Sequence, residues 1–76
     1  MQYIIEVTKQ GFEEPLWVQD WGIDCETCRS VCREKWAARR CATYEEAEEI
    51  TNKIPDILNP TIHEVNFEGD FEVEVN

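Results

Sequence analysis

Basic residues, histidine, glycine and leucine are all scarce in this chain. Seven Lys and Arg stand against seventeen Asp and Glu, His63 is the single histidine, and leucine occurs only at Leu16 and Leu58. The net charge of −10 argues against a general nucleic-acid binder, because phosphate contacts demand Lys and Arg in number. It equally opposes docking on an anionic membrane surface. No apolar run approaches the roughly 20 residues of a membrane-spanning helix. Gly11, Gly22 and Gly69 are isolated from one another, which excludes a glycine-rich phosphate loop. One histidine and no supported Cys/His or Ser/His/Asp arrangement point to a non-enzymatic protein with no small-molecule substrate. The opening Met1–Glu6 shows neither a basic stretch nor a long apolar one, so a cytoplasmic location is expected, where thiols stay reduced.

Apolar residues nonetheless make up 42% of the 76 positions, too many for a disordered acidic tail. The expectation is one small domain over 1–76, with a cysteine-containing segment at 22–41. Its core must be thin. Chains of this size seldom gain more than about 3–5 kcal/mol from burial alone.

Tyr3-Ile4-Ile5-Glu6-Val7-Thr8 is β-branched and aromatic, and reads as a first strand. Gly11 and Pro15 punctuate a loop, and Leu16–Trp21 reads as a second strand that pairs antiparallel with the first. Simple alternation places Trp17 and Trp21 on one face of it, Leu16 and Val18 on the other. Gly22–Arg40 is ambiguous. Asp24 suits an N-cap, and Cys25, Cys28, Cys32 and Trp36 follow at spacings of three, four and four, one stripe of a helix. A short third strand over about 36–42 would bring Cys41 back to the sheet.

Thr43-Tyr44-Glu45-Glu46 is a capping box at the head of a helix that Pro55 should end near Ile54. Tyr44, Ala47, Ile50, Thr51 and Ile54 form its inward stripe; Glu45, Glu48, Glu49 and Asn52 lie outside it. Residues 55–60 make a loop. Thr61–Phe67 is extended, Glu68-Gly69-Asp70 turns, and Phe71, Val73 and Val75 alternate with Glu72 and Glu74 as a closing strand. The order β-β-(α?)-β-α-β-β specifies an α+β fold: a mostly antiparallel sheet with one or two helices packed on one face.

The Tyr3–Val7 strand, the Trp-bearing second strand, the run Ala38–Ile50 with its Thr-x-Glu-Glu-Ala helix start, and the Glu64-Val65 strand together resemble small accessory proteins of bacteriophages and prophages. The resemblance covers residues 1–21 and 38–67, and the cysteine segment 22–35 departs from it as an insertion. No catalytic motif lies inside it. It implies a compact accessory protein that binds a host protein in the host cytoplasm.

Cys25-x2-Cys28-x3-Cys32-x8-Cys41 is the one constellation with chemistry of its own. Four clustered cysteines in a reduced compartment suggest a tetrahedral zinc site, although the spacing is not the paired C-x2-C of a ribbon or finger. Cys25 and Cys32 on one straight helix would stand about 10 Å apart along the axis, whereas thiolates sharing a zinc must lie within roughly 4 Å. So Cys25–Cys28 is a non-helical knuckle preceding a helix, with Cys41 or His63 completing the site, or the cysteines are a buried stripe of free thiols. Disulfides are a third reading and a Cys25/Cys28 redox pair a fourth. His63, on a strand face with Val65 and Phe67, reads first as a packed histidine.

Charge is segregated along the chain: residues 1–28 carry −5, residues 29–44 carry +4 and residues 45–76 carry −9. The positive segment, with Arg29, Arg33, Arg39 and Arg40, is a solvated face paired with nearby acids or, alternatively, a basic patch through which a zinc-stabilised module contacts nucleic acid. The acids Glu45, Glu48, Glu49, Glu72 and Glu74, with Trp17 and Trp21 if exposed, are the candidate partner-binding residues. The expected function is a small protein-binding module or inhibitor that meets the basic surface of a larger protein.

Overall fold

The computed structural model describes residues 1–73. Gln2–Val7 (β1), Leu16–Trp21 (β2), Arg29–Cys32 (β3) and Thr61–Val65 (β4) form one antiparallel sheet in the order β3-β2-β1-β4. Tyr44–Thr51 is the helix α1, and Phe67–Glu68 (β5) and Phe71–Glu72 (β6) make a separate small hairpin. The fold is α+β, as the element pattern requires.

Period-two alternation in β1 divides the core between two faces. Ile5 and Val7 point to one face, where they meet Leu16, Val18, Cys41 and the helix residues Ala47, Ile50 and Ile54. Ile4 points to the other, where it packs with Trp17, Ala38 and Val65. Both sides of a four-stranded sheet are therefore covered: α1 on one, a 3-10 turn at Lys35–Ala37 and Phe67 of the β5–β6 hairpin on the other. Ile4, Val7, Val18 and Val65 are the largest fully buried side chains, each worth about 2 kcal/mol in transfer free energy.

α1 begins as the capping box dictates. The Thr43 hydroxyl accepts from the Glu46 N–H at 3.2 Å, and the Glu46 carboxylate reaches back to the N–H of Ala42 at 3.3 Å. Regular helix stops at Thr51; Lys53 N–H to Ile50 and Ile54 N–H to Thr51 tighten the exit before Pro55. Ala47, Ile50 and Ile54 are buried as the stripe requires. Tyr44 is half-exposed and meets Tyr3 edge-on at 5.9 Å.

Five local expectations are corrected. Residues 29–32 form strand rather than helix. The pairs Trp17↔Cys32 and Val18↔Val31 put successive residues on opposite faces, which a 3.6-residue period does not do. Asp24 caps no helix; it is the ion-pair partner of Arg39.

Trp17 and Trp21 do not share a face. A bulge between Val18 and Asp20 shifts the register by one residue, and one residue flips every following side chain. Trp17 joins the Ile4 side and Trp21 the α1 side. The bulged Gln19 is held from two directions, its amide donating to the Ala37 carbonyl at 3.3 Å and accepting from the Ser30 hydroxyl at 3.0 Å.

Residues 36–42 are not a strand, yet Cys41 does return to the sheet through a single bridge to Tyr3. The closing hairpin forms, but outside the main sheet, and it leaves Phe71 80% exposed. Glu74 and Val75 lie outside the described residues.

Candidate functional site

Each cation of the central segment has an intramolecular contact, two of them with a carboxylate. Arg29 lies over the Trp21 ring at 5.2 Å and donates to the carbonyls of Glu26 and Cys28 at 3.0 and 2.7 Å. Arg33 lies 5.9 Å from the Phe12 ring. Lys35 pairs with Glu72 at 2.7 Å and covers Trp17 at 5.6 Å. Arg39 pairs with Asp24 and donates to the Gln19 carbonyl. Arg40 stacks on Phe67 at 4.2 Å and donates to the Trp36 carbonyl. A flat guanidinium suits both tasks, ring stacking and carbonyl bonding.

The acids divide differently. Glu45, Glu48 and Glu49 are exposed on α1, and none makes an ion pair among the described residues. Their position follows from the helix stripe: burying Ala47 and Ile50 turns 45, 48 and 49 outward. Glu64, exposed on β4, points to the same side of the sheet, because it pairs across from Tyr3. Glu72 is elsewhere, tied to Lys35 on the Trp17 side. The acidic helix and the acidic hairpin are thus two surfaces, and among the described residues the α1 acids Glu45, Glu48 and Glu49 make no ion pair, whereas Glu72 of the hairpin does.

The tryptophans do not extend this surface. Trp17 is 7% exposed and belongs to the core; Trp21 is half-buried, donating its indole N–H to the Lys53 carbonyl at 3.2 Å. His63 bonds Glu6 at 2.6 Å and meets Trp17 edge-on at 5.4 Å, a packed histidine in a strand-to-strand bridge.

The four cysteines are not gathered. Cys41 is buried among Ile5 and Val18, and Cys32 is on the opposite face beside Trp17, its single S–H within reach of the Glu34 carbonyl and of the Trp17 carbonyl. Burial pushes both thiols up from their ordinary value of 9.0. Cys25 and Cys28 share a turn at the tip of the β2–β3 loop, closed by Cys28 N–H to the Cys25 carbonyl at 3.0 Å. All four are free thiols, and among the described residues no group of three or more Cys, His, Asp or Glu converges as a metal site would need.

A recess of about 340 Å³ lies under the β1–β2 loop, lined by Gly11, Phe12, Glu13, Glu14, Leu16 and Arg33.

Two features of the site were missed by sequence reasoning: the ring partners of the cations and the bracing of the β2–β3 loop. Only the abundance of aromatics near the central segment hinted at the first. Comparisons with protein families, curated proteins and solved structures returned no match, so geometry alone supports any functional reading.

Proposed function

We propose that this chain is a non-enzymatic protein-binding module or inhibitor that offers the α1 acids Glu45, Glu48 and Glu49, with Glu64 beside them, to a basic surface on a larger protein. One observation carries the reading. Lys35 and Arg39 pair with carboxylates and Arg29, Arg33 and Arg40 lie against aromatic rings, while the carboxylates of Glu45, Glu48 and Glu49 are exposed and make no ion pair among the described residues. The net charge of −10 makes the overall field negative, and the basic segment offsets it only in part, since Lys35 and Arg39 are already paired with acids. Such a field accelerates encounter with a positive patch and is screened by salt. On the resemblance to phage accessory proteins, that patch would belong to a host protein.

The test is affinity capture from lysate by the full chain and by the triple variant Glu45→Gln, Glu48→Gln, Glu49→Gln, at low salt and at about 1 M salt, where the Debye length falls to about 3 Å. Partner retention by the wild type that is lost in the triple variant, and lost at high salt, supports the proposal. A partner held equally by both chains at about 1 M salt overturns it.

A further inference from the structure

The β2–β3 loop is built more firmly than its polarity suggests. At its start the Asp20 carboxylate accepts the N–H groups of Ile23 and Asp24 at 2.9 and 3.3 Å. Gly22, at φ +72°, occupies a left-handed conformation open to glycine, and its N–H closes the loop onto the Cys28 carbonyl at 3.0 Å. At its end Arg29, itself held over Trp21, clamps the carbonyls of Glu26 and Cys28. Two thiols are presented on that braced tip.

The turn Cys25-Glu26-Thr27-Cys28 sets their separation. An i to i+3 turn brings its end Cα atoms within about 7 Å, which meets the roughly 4.4–6.8 Å a disulfide spans. Access is unequal. Cys25 is exposed, Cys28 is half-buried behind it, and Cys32 and Cys41 sit against the two cores. An outer thiol with a second one three residues behind it is the arrangement of an attacking and a resolving cysteine.

We infer that Cys25 and Cys28 form a thiol–disulfide exchange site that accepts small disulfides and closes into a Cys25–Cys28 disulfide. In the first step the Cys25 thiolate attacks one sulfur of a disulfide RSSR, the S–S bond breaks, and RS⁻ leaves as a mixed disulfide forms on Cys25. In the second, Cys28 loses its proton and attacks Cys25 Sγ, expelling the second RS⁻. The protein dithiol is oxidised by two electrons, and RSSR is reduced to two RSH. The site rests on the loop geometry and is independent of the acidic α1 surface.

The local hydrogen bonds favour this order. The Cys28 thiol, then the Thr27 hydroxyl, donates to Cys25 and lowers it to about 7. Donating to Cys25, with Asp20 and Asp24 nearby, raises Cys28. A thiol at about 7 gains thiolate at neutral pH but loses some nucleophilicity, a net advantage of roughly three- to sixfold over an ordinary thiol.

The experiment treats the full reduced chain at neutral pH with bis(2-hydroxyethyl) disulfide and reads intact mass and tryptic peptides. Trypsin places Cys25 and Cys28 together on residues 10–29, Cys32 on 30–33 and Cys41 on 41–53. The expected product is a chain lighter by two hydrogens, with the crosslink inside 10–29. Cys28→Ser should trap the mixed disulfide on Cys25. Cys25→Ser should slow reaction on the 10–29 peptide by roughly three- to sixfold; both positions are at a loop tip, and circular dichroism confirms that the variants fold. First modification at Cys32 or Cys41, or stable mixed disulfides on Cys25 and Cys28 without closure, overturns the inference.

Discussion

Cys41 and Tyr3 exchange both of their backbone hydrogen bonds, at 2.9 and 2.8 Å. The pair occupies the gap where β1 and β2 diverge, for the two strands are in register only at Glu6↔Trp17 and Val7↔Leu16. Beyond that, the chain at 39–41 takes over: Arg39 N–H bonds the Val18 carbonyl at 2.8 Å, and Cys41 bonds Tyr3. A single bridge thus satisfies strand groups that would otherwise be orphaned in the core. It also fixes the Cys41 side chain on the α1 side, 3% exposed among aliphatic neighbours.

Cys41 is therefore a core residue. Cys41→Ser should destabilise the fold by about 1–3 kcal/mol, because it buries a hydroxyl with no suitable partner. Cys25→Ser, on the exposed loop, should stay within about 0.5 kcal/mol. Urea unfolding of the two variants checks the contrast.

Burial raises the Cys41 and Cys32 thiols above their ordinary 9.0. In the unfolded chain these thiols ionise first, so unfolding releases protons and stability falls as pH rises from about 9 upward. Below the unfolded value both states are protonated and the contribution is fully present. Cys25, lowered to about 7, acts in the opposite sense: its contribution is present above the unfolded value and is lost as pH falls through about 7. Thermal melts from pH 7 to about 10 should show the high-pH loss flatten in Cys41→Ala.

The Thr43 cap is the signal the helix relies on at its start. Thr43→Ala should cost about 1 kcal/mol, as N-cap removals do, and should lower helical ellipticity in the variant. Unchanged stability would mean that tertiary packing of Ala47 and Ile50 alone holds α1.

Two isoleucines give the sharpest packing contrast. Ile4 is fully buried between Trp17, Ala38 and Val65, whereas Ile57 is 86% exposed. Ile4→Ala should cost about 2–5 kcal/mol, comparable to the whole stability expected of so small a domain, so the variant should be largely unfolded at 25 °C. Ile57→Ala should unfold within about 0.5 kcal/mol of the wild type. Tryptophan fluorescence against urea reports both.

Much of the architecture was legible because it rests on local rules. The alternation of β1, the Thr43–Glu46 cap, the inward stripe of Ala47, Ile50 and Ile54, and the antiparallel pairing of β1 with β2 all follow from periodicity and capping. The return of Cys41 to the sheet was legible too, though as a bridge rather than a strand. Residues 22–35 were not. Their cysteines repeat with a helical period, and a strand of four residues is too short for its own period to stand out.

The primary sequence by itself determined the α+β class, the place of α1, the outward position of its glutamates and the excess of negative charge, since each depends on neighbours a few residues apart. Only the tertiary structure decided where the positive charge went and which cysteines could meet. Ring stacking of Arg40 on Phe67, the bulge that separates Trp17 from Trp21, and the sheet that stands between Cys32 and Cys41 all depend on contacts between segments distant along the chain. Such relations are set by strand register and by which face a side chain takes, and a one-residue shift in pairing reverses them.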